Sequence, residues 1–497
     1  MKLSHGWDRG VAAFDDMNLV SCAGLVPVLE LAEQTGLSEL LDEHVAFTSE
    51  LVKSGAANPT PKLTSIIGGL LAGADSINDL DVIRAGGTHR LFTAVYAPTT
   101  MGTLLREFTG GHVRQLQAVQ SRHLLALADR TTVLDGIGER AFVDIDSLLR
   151  PVYGHAKQGA SFGHTKIAGK QVLRKGLSPL VTAISTPAAA PVIAGIRLRA
   201  GRAGSGRGAG SMVTEAVNVA RAAGATHILV RGDSAYGNAA VVCAARRAGA
   251  RFSVVLAKQA SVNRAIDSIA DDAWVPVKYP GSFTDPDTGQ LVSDAQVAEV
   301  AYTAFAGTRQ AVTARLIVRR SGTRRFTPKD ELFPAWRYHP FFTNNTEPVA
   351  DADITHRRHA VVETLFADLV AGPFAHMPSG SFQANSAWVV LAAITHNLLR
   401  AAGALAGKTF AVARGARCAG NWSTCPPGSS DRRVDPLCDY PPTGRPPRHG
   451  TSCGTTSSPQ RPRSTSNPIC GFRLRPEPVG PTRPRLPRDH TRGIDNG

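Results

Sequence analysis

The sequence predicts an α/β fold. A mixed sheet flanked by helices follows a helical N-terminal domain, is interrupted by a β-rich insertion and ends in a disordered C-terminal tail. Three observations carry this expectation. Residues 1–135 place apolar side chains at helical spacing, residues from about 140 change to strand-length apolar or alternating runs, and apolar periodicity stops after about 414. The expected divisions are 1–135, a helical DNA-binding or dimerisation region; 136–260, the first part of the sheet core; 261–345, the insertion; 346–414, the helical remainder of the core; and 415–497, the tail.

Taken in order, "LVPVLELAEQTGLSELLDEHV" (25–45) reads as two helices around a Thr-Gly break, with Ser38 as N-cap of the second. This fits a DNA-binding helix-turn-helix and equally a packing hairpin. Segments 62–87 and 112–130 add amphipathic helices. In "RAFVDIDSLL" (140–149), alternation puts Phe142, Asp144 and Asp146 on one face and Val143 and Ile145 on the other. Strands at 180–186 and 192–200 follow, then helix, strand, helix and strand up to "RFSVVLAK". "THRRHAVVETLFADLV" (355–370) reads as one helix that buries Val362, Leu365, Phe366 and Leu369.

The net charge of +15 over 497 residues favours a polyanionic partner, with nucleic acid ahead of a membrane surface. Two apolar stretches, 178–196 and 386–403, are interrupted by prolines or by His396, Asn397 and Arg400, so both read as core elements. "MKLSHGWDRG" has no apolar signal core, and Cys22 and Cys243 are the only cysteines before 415; a cytoplasmic, nucleoid-associated protein with reduced thiols is expected. Residues 415–497 hold thirteen Arg, no Lys, fifteen of the 32 Pro and five of the seven Cys. That composition suits a basic DNA-binding arm, and it also matches GC-rich DNA read out of frame.

Three acids stand out at element ends. Asp146 lies on the first core strand, Asp233 ends the buried strand in "HILVRGDSAYG" (227–237), and Glu363 lies on the late helix. Convergence would create a repulsive cluster, for which divalent metal is the natural remedy, and two hard cations suit phosphodiester displacement.

"VDIDS", "YGHAKQGASFGHTKIAGKQVL", "VRGDSAYG", "HRRHAVVETLFADL" and "PSGSFQANSAWVVLAAITHNLLR" occur in an order that resembles IS1380-type transposases of the IS4-like DDE group, over roughly residues 1–414. The resemblance implies a ribonuclease H-like core and metal-dependent cleavage and strand transfer, with Mg²⁺ (or Mn²⁺), two ions, as cofactor. The implied partners are double-stranded DNA, both transposon terminal inverted repeats and target, and a second copy of the chain as a homodimer on DNA. Its catalytic and metal-binding triad falls on Asp146, Asp233 and Glu363, with Asp144 competing for the first place. The wider group surrounds its Glu with Tyr, Arg and Lys, where this chain has His356, His359 and Val370. The expected DNA contacts are His356, Arg357, Arg358 and His359.

Other readings compete. His356, His359 and Glu363 share a face of a continuous helix, but HExxH is absent, so zinc is disfavoured. "GSGRGA" (204–209) mimics a dinucleotide-binding loop, yet "RAGRA" separates it from the strand. A DNA-binding transposase remnant without catalysis is the main alternative.

Overall fold

The structure is a computed structural model. It describes residues 20–413 except 21, 48–53, 168–169, 205, 279–282, 285–290, 293–294 and 323–335. The tail expected at 415–497 lies outside the described residues.

The N-terminal part is helical: α1 (Leu25–Gln34), α2 (Leu37–His44), α3 (Pro59–Leu71), α4 (Pro98–Glu107) and α5 (Gly110–Arg130). Gly36, at φ 70°, takes the left-handed conformation that turns α1 into α2. Gly36 is therefore the N-cap of α2. Ser38 lies inside the helix, where its hydroxyl donates to Glu33 Oε1 at 2.5 Å. A reciprocal capping box of Thr109 and His112 starts α5.

The core begins with β1 (Ala141–Ser147), the hairpin β2 (Ser161–Ile167) and β3 (Lys170–Leu177), then β4 (Leu180–Ser185) and β5 (Val192–Arg197). It continues through α6 (Ala209–Ala222), β6 (Ile228–Gly232), α7 (Ala239–Arg247), β7 (Arg251–Val255) and α8 (Ala260–Asp267). The insertion supplies β8 (Val275–Pro276), β9 (Ala295–Ala304), β10 (Val312–Gly322) and β11 (Trp336–Thr343), followed by α9 (Val349–Arg357), α10 (Val361–Val370) and α11 (Phe382–Leu405).

Among the described residues the main sheet has nine strands in the order β5-β4-β1-β6-β7-β11-β10-β9-β8. Strand β1 runs antiparallel to β4 and parallel to β6, and β7 runs parallel to β6. Strands from the segment 261–345 extend the same sheet through the antiparallel β7–β11 pair. Met212 of α6 lies against Gly195 and Thr182, on the face opposite Asp144. Helix α7 packs beside α6, and α9 and α10 serve the other face.

Helix α11 is capped by Ser381 and packs against α1, α3, α4, α5 and β5, joining the N-terminal helices to the sheet in one apolar core. Its most apolar window is 78% buried, as expected of a core helix. Strand β5 is a sheet edge, and Asn397 satisfies it: the amide accepts from Ile193 N at 2.8 Å and donates to Ile193 O at 2.9 Å. Gln120 and Gln117 of α5 donate to Ile193 O and Ile196 O.

Two buried histidines make this packing sensitive to acid. Burial pushes both His123, bonded to Thr35 Oγ1, and His396 down to about 4. Their neutral forms are favoured on folding, so their stabilisation is complete above pH 6.5 and fades as pH falls towards 4. His123→Gln is expected to shift the pH midpoint of acid unfolding downwards relative to the wild type, as followed by circular dichroism. An unchanged pH profile would exclude this source of acid lability.

Candidate functional site

Strands β1 and β6 build the site. Their parallel register pairs Asp144 with Arg231 and Ile145 with Gly232, so the next step places Asp146 beside Asp233 at the carboxyl end of both strands. Alternation puts Asp144, Asp146, Arg231 and Asp233 on one sheet face.

The two carboxylates of β1 differ sharply. Asp144 and Arg231 are each 1% exposed and form a bidentate pair, with Arg231 Nε to Asp144 Oδ1 at 2.7 Å and Nη2 to Oδ2 at 2.8 Å. Arg231 also donates to Thr355 O at 2.9 Å and stacks over Phe142 at 4.0 Å. Both oxygens of Asp144 are thus held by one guanidinium. Asp144, the sequence's competing first acid, is a structural ion pair that ties β1, β6 and α9 together.

Asp146 is half-buried and its Oδ1 accepts from Ser147 N at 2.6 Å. Asp233 is exposed, and its Oδ1 accepts from Ala235 N at 2.9 Å in an Asx-turn that aims the carboxylate outwards. On the opposite face, against Gly232 and Ile145, Tyr236 is fully buried. Burial raises the pKa of its hydroxyl, Ser147 and Arg199 lower it, and the charges of Asp146 and Asp233 raise it further. That hydroxyl lies near Ser147 and Arg199 without a well-formed hydrogen bond. Two carboxylates at neighbouring strand ends offer an all-oxygen donor set, which suits Mg²⁺ or Mn²⁺.

Glu363 is exposed in the first turn of α10, a helix that packs against β1. The structure does not bring it to the two aspartates: among the described residues no three His, Cys, Asp or Glu side chains are grouped for a metal. The segment 355–370, read from sequence as one helix, contains a 3₁₀ turn at Arg358–Ala360. His356, His359 and Glu363 consequently do not share a continuous helical face. His356 is buried, bonded to Ser253 Oγ at 2.9 Å and stacked on Phe341 at 4.2 Å. Its expected DNA contact is therefore corrected to a packing role. His359 is half-buried and bonded to His356 O, whereas Arg357 and Arg358 are exposed.

The family model for transposase DDE domain group 1 matches residues 8–416. The chain belongs to this transposase family. No curated protein matches it. Among solved structures, the cryo-EM piggyBac transposase synaptic complex with hairpin DNA is 11% identical and covers 81% of this chain and 82% of that chain, with a TM-score of 0.36. The transposase contains two features that single positions in the sequence did not reveal. One is the Asp144–Arg231 pair, which only strand register exposes. The other is Tyr236, visible in "DSAYG" merely as part of a turn.

Proposed function

We propose that this DDE transposase cleaves and joins DNA at the ends of an IS1380-type insertion sequence, using Asp146, Asp233 and Glu363 as its metal-binding carboxylates. The single observation that carries this reading is the parallel β1–β6 register, which ends at Ile145–Gly232 and so brings the half-buried Asp146 and the exposed Asp233 to the same carboxyl-end edge. The order β5-β4-β1-β6-β7, with an antiparallel half and a parallel half, supports a ribonuclease H-like core.

Asp146 and Asp233 would hold the divalent ions, which when bound supply an activated water or 3′-hydroxyl and stabilise the leaving oxygen. Glu363, on α10, is the third carboxylate of the proposed set and stands apart from the other two in this structure. Cleavage exchanges a bridging P–O bond for one to water, and joining exchanges a target P–O bond for one to the new 3′-hydroxyl. The partners are then double-stranded DNA, as terminal inverted repeats and as target, and a second copy of the chain in a homodimer that pairs two ends.

The test uses duplexes carrying the DNA that flanks the gene, incubated with the full chain and Mg²⁺. Cleavage at an element end is expected. Glu363→Gln should bind the same duplex as tightly as wild type but fail to cut it. Wild-type binding without any cleavage would instead establish the DNA-binding remnant.

A further inference from the structure

A cavity of about 620 Å³ opens beyond the end of β7, with Ser234, the neighbour of Asp233, in its wall. Lys258, Arg319, Arg337 and Arg357 line it, and Asp353 is the one acid among the lining residues. Strand register explains how residues so distant in sequence meet. Gly232 pairs with Val254, Val255 with Phe341 and His339 with Arg319, so Asp233 and Arg319 occupy one face of a single sheet. The cavity and the acids therefore open along the same edge.

The electrostatics are unbalanced. The side chains of Lys258, Arg319 and Arg337 make no hydrogen bond or ion pair with a described residue. Arg319 has its pKa lowered by burial, then by Arg357 and Arg337. Burial brings His339 down to about 4, with Arg319, Arg337, Lys258 and Arg357 pushing in the same direction. Arg319 is half-buried while Lys258, Arg337 and Arg357 are exposed around it, and Asp353 at the wall is itself pushed up to about 7 by burial, against the pull of Arg357. An anion with several acceptor oxygens resolves the repulsion, and arginine forks match phosphate geometry.

We propose that this cavity binds a backbone phosphate of the DNA strand presented to Asp146 and Asp233, with Arg319 and Arg337 as its principal donors. The inference rests on the transposase reading and adds to it a phosphate subsite supplied by the strands of the insertion. The continuity of the sheet face with the acids selects a DNA strand over a free anion. Phosphate capture here would fix the strand's register relative to the carboxylates without reading its sequence.

The experiment compares wild type, Arg319→Gln/Arg337→Gln and a control, Arg246→Gln/Arg247→Gln, which removes equal charge from exposed positions of α7 in the opposite layer. Binding to the end duplex is measured by anisotropy across a salt series. The Arg319/Arg337 variant should bind on the order of 10²-fold more weakly. Its slope of log K against log salt should also fall by about 2. The control should keep both wild-type values, and circular dichroism should show all three chains folded. Inorganic phosphate forms a second arm, read by thermal shift. Phosphate stabilisation lost in the Arg319/Arg337 variant, with DNA binding unchanged, would assign the cavity to a free anion and overturn the proposal. Wild-type cleavage with no effect of the pair on affinity or slope would overturn the subsite and leave the transposase reading intact. Failure of the wild type to bind or cut any duplex would remove both.

Discussion

Asp233→Asn is expected to reduce strand cleavage by about 10³-fold or more while leaving DNA binding and folding intact. The asparagine carbonyl can still accept from Ala235 N, so the Asx-turn survives. What disappears is the negative charge that holds the ion, and with it several kcal/mol of transition-state stabilisation. Asp146→Asn should behave alike, since its amide oxygen can keep the bond to Ser147 N. Gel assays with labelled end duplexes measure cleavage, and anisotropy measures binding. Substantial cutting by either variant would remove that residue from the catalytic set.

The second large effect concerns stability. Arg231→Met leaves the Asp144 carboxylate buried without its bidentate partner and removes a donor from Thr355 O, so a loss of about 3–5 kcal/mol is expected in urea unfolding. The pair Asp144→Leu/Arg231→Met removes both charges, and much of the loss should be recovered. If the single variant unfolds like wild type, the ion pair is not what joins β1, β6 and α9.

These two predictions separate acids that look alike in sequence. Asp144 and Asp146 lie two apart on one strand face, and alternation alone gives them equal standing. Their roles diverge through what stands opposite on β6: Arg231 meets the first and Asp233 the second. Strand existence was legible in "RAFVDIDSLL" and "HILVRG" because short apolar runs end at polar turns. Register was not, because it depends on contacts between segments some 87 residues apart.

The helix break at Arg358–Ala360 was equally hidden, as that turn contains neither glycine nor proline. His356 was expected as a DNA contact, and Phe341 and Ser253, from two other strands, enclose it. Gly36 displaced Ser38 as the cap because the left-handed turn comes before the serine. Of the cationic cavity only the "HRRH" part, His356, Arg357 and His359, was legible; Arg319, Arg337 and Lys258 come from β10, β11 and the segment after β7 and share no spacing.

The most direct measurement replaces Mg²⁺ by Fe²⁺ in the DNA-bound protein and maps polypeptide scission by locally generated hydroxyl radicals. Shared coordination predicts cuts close to Asp146, Asp233 and Glu363, suppressed by excess Mg²⁺ and lost in Asp233→Asn. Cuts clustered elsewhere, or a pattern indifferent to Asp233→Asn, would contradict a metal centre at this strand edge.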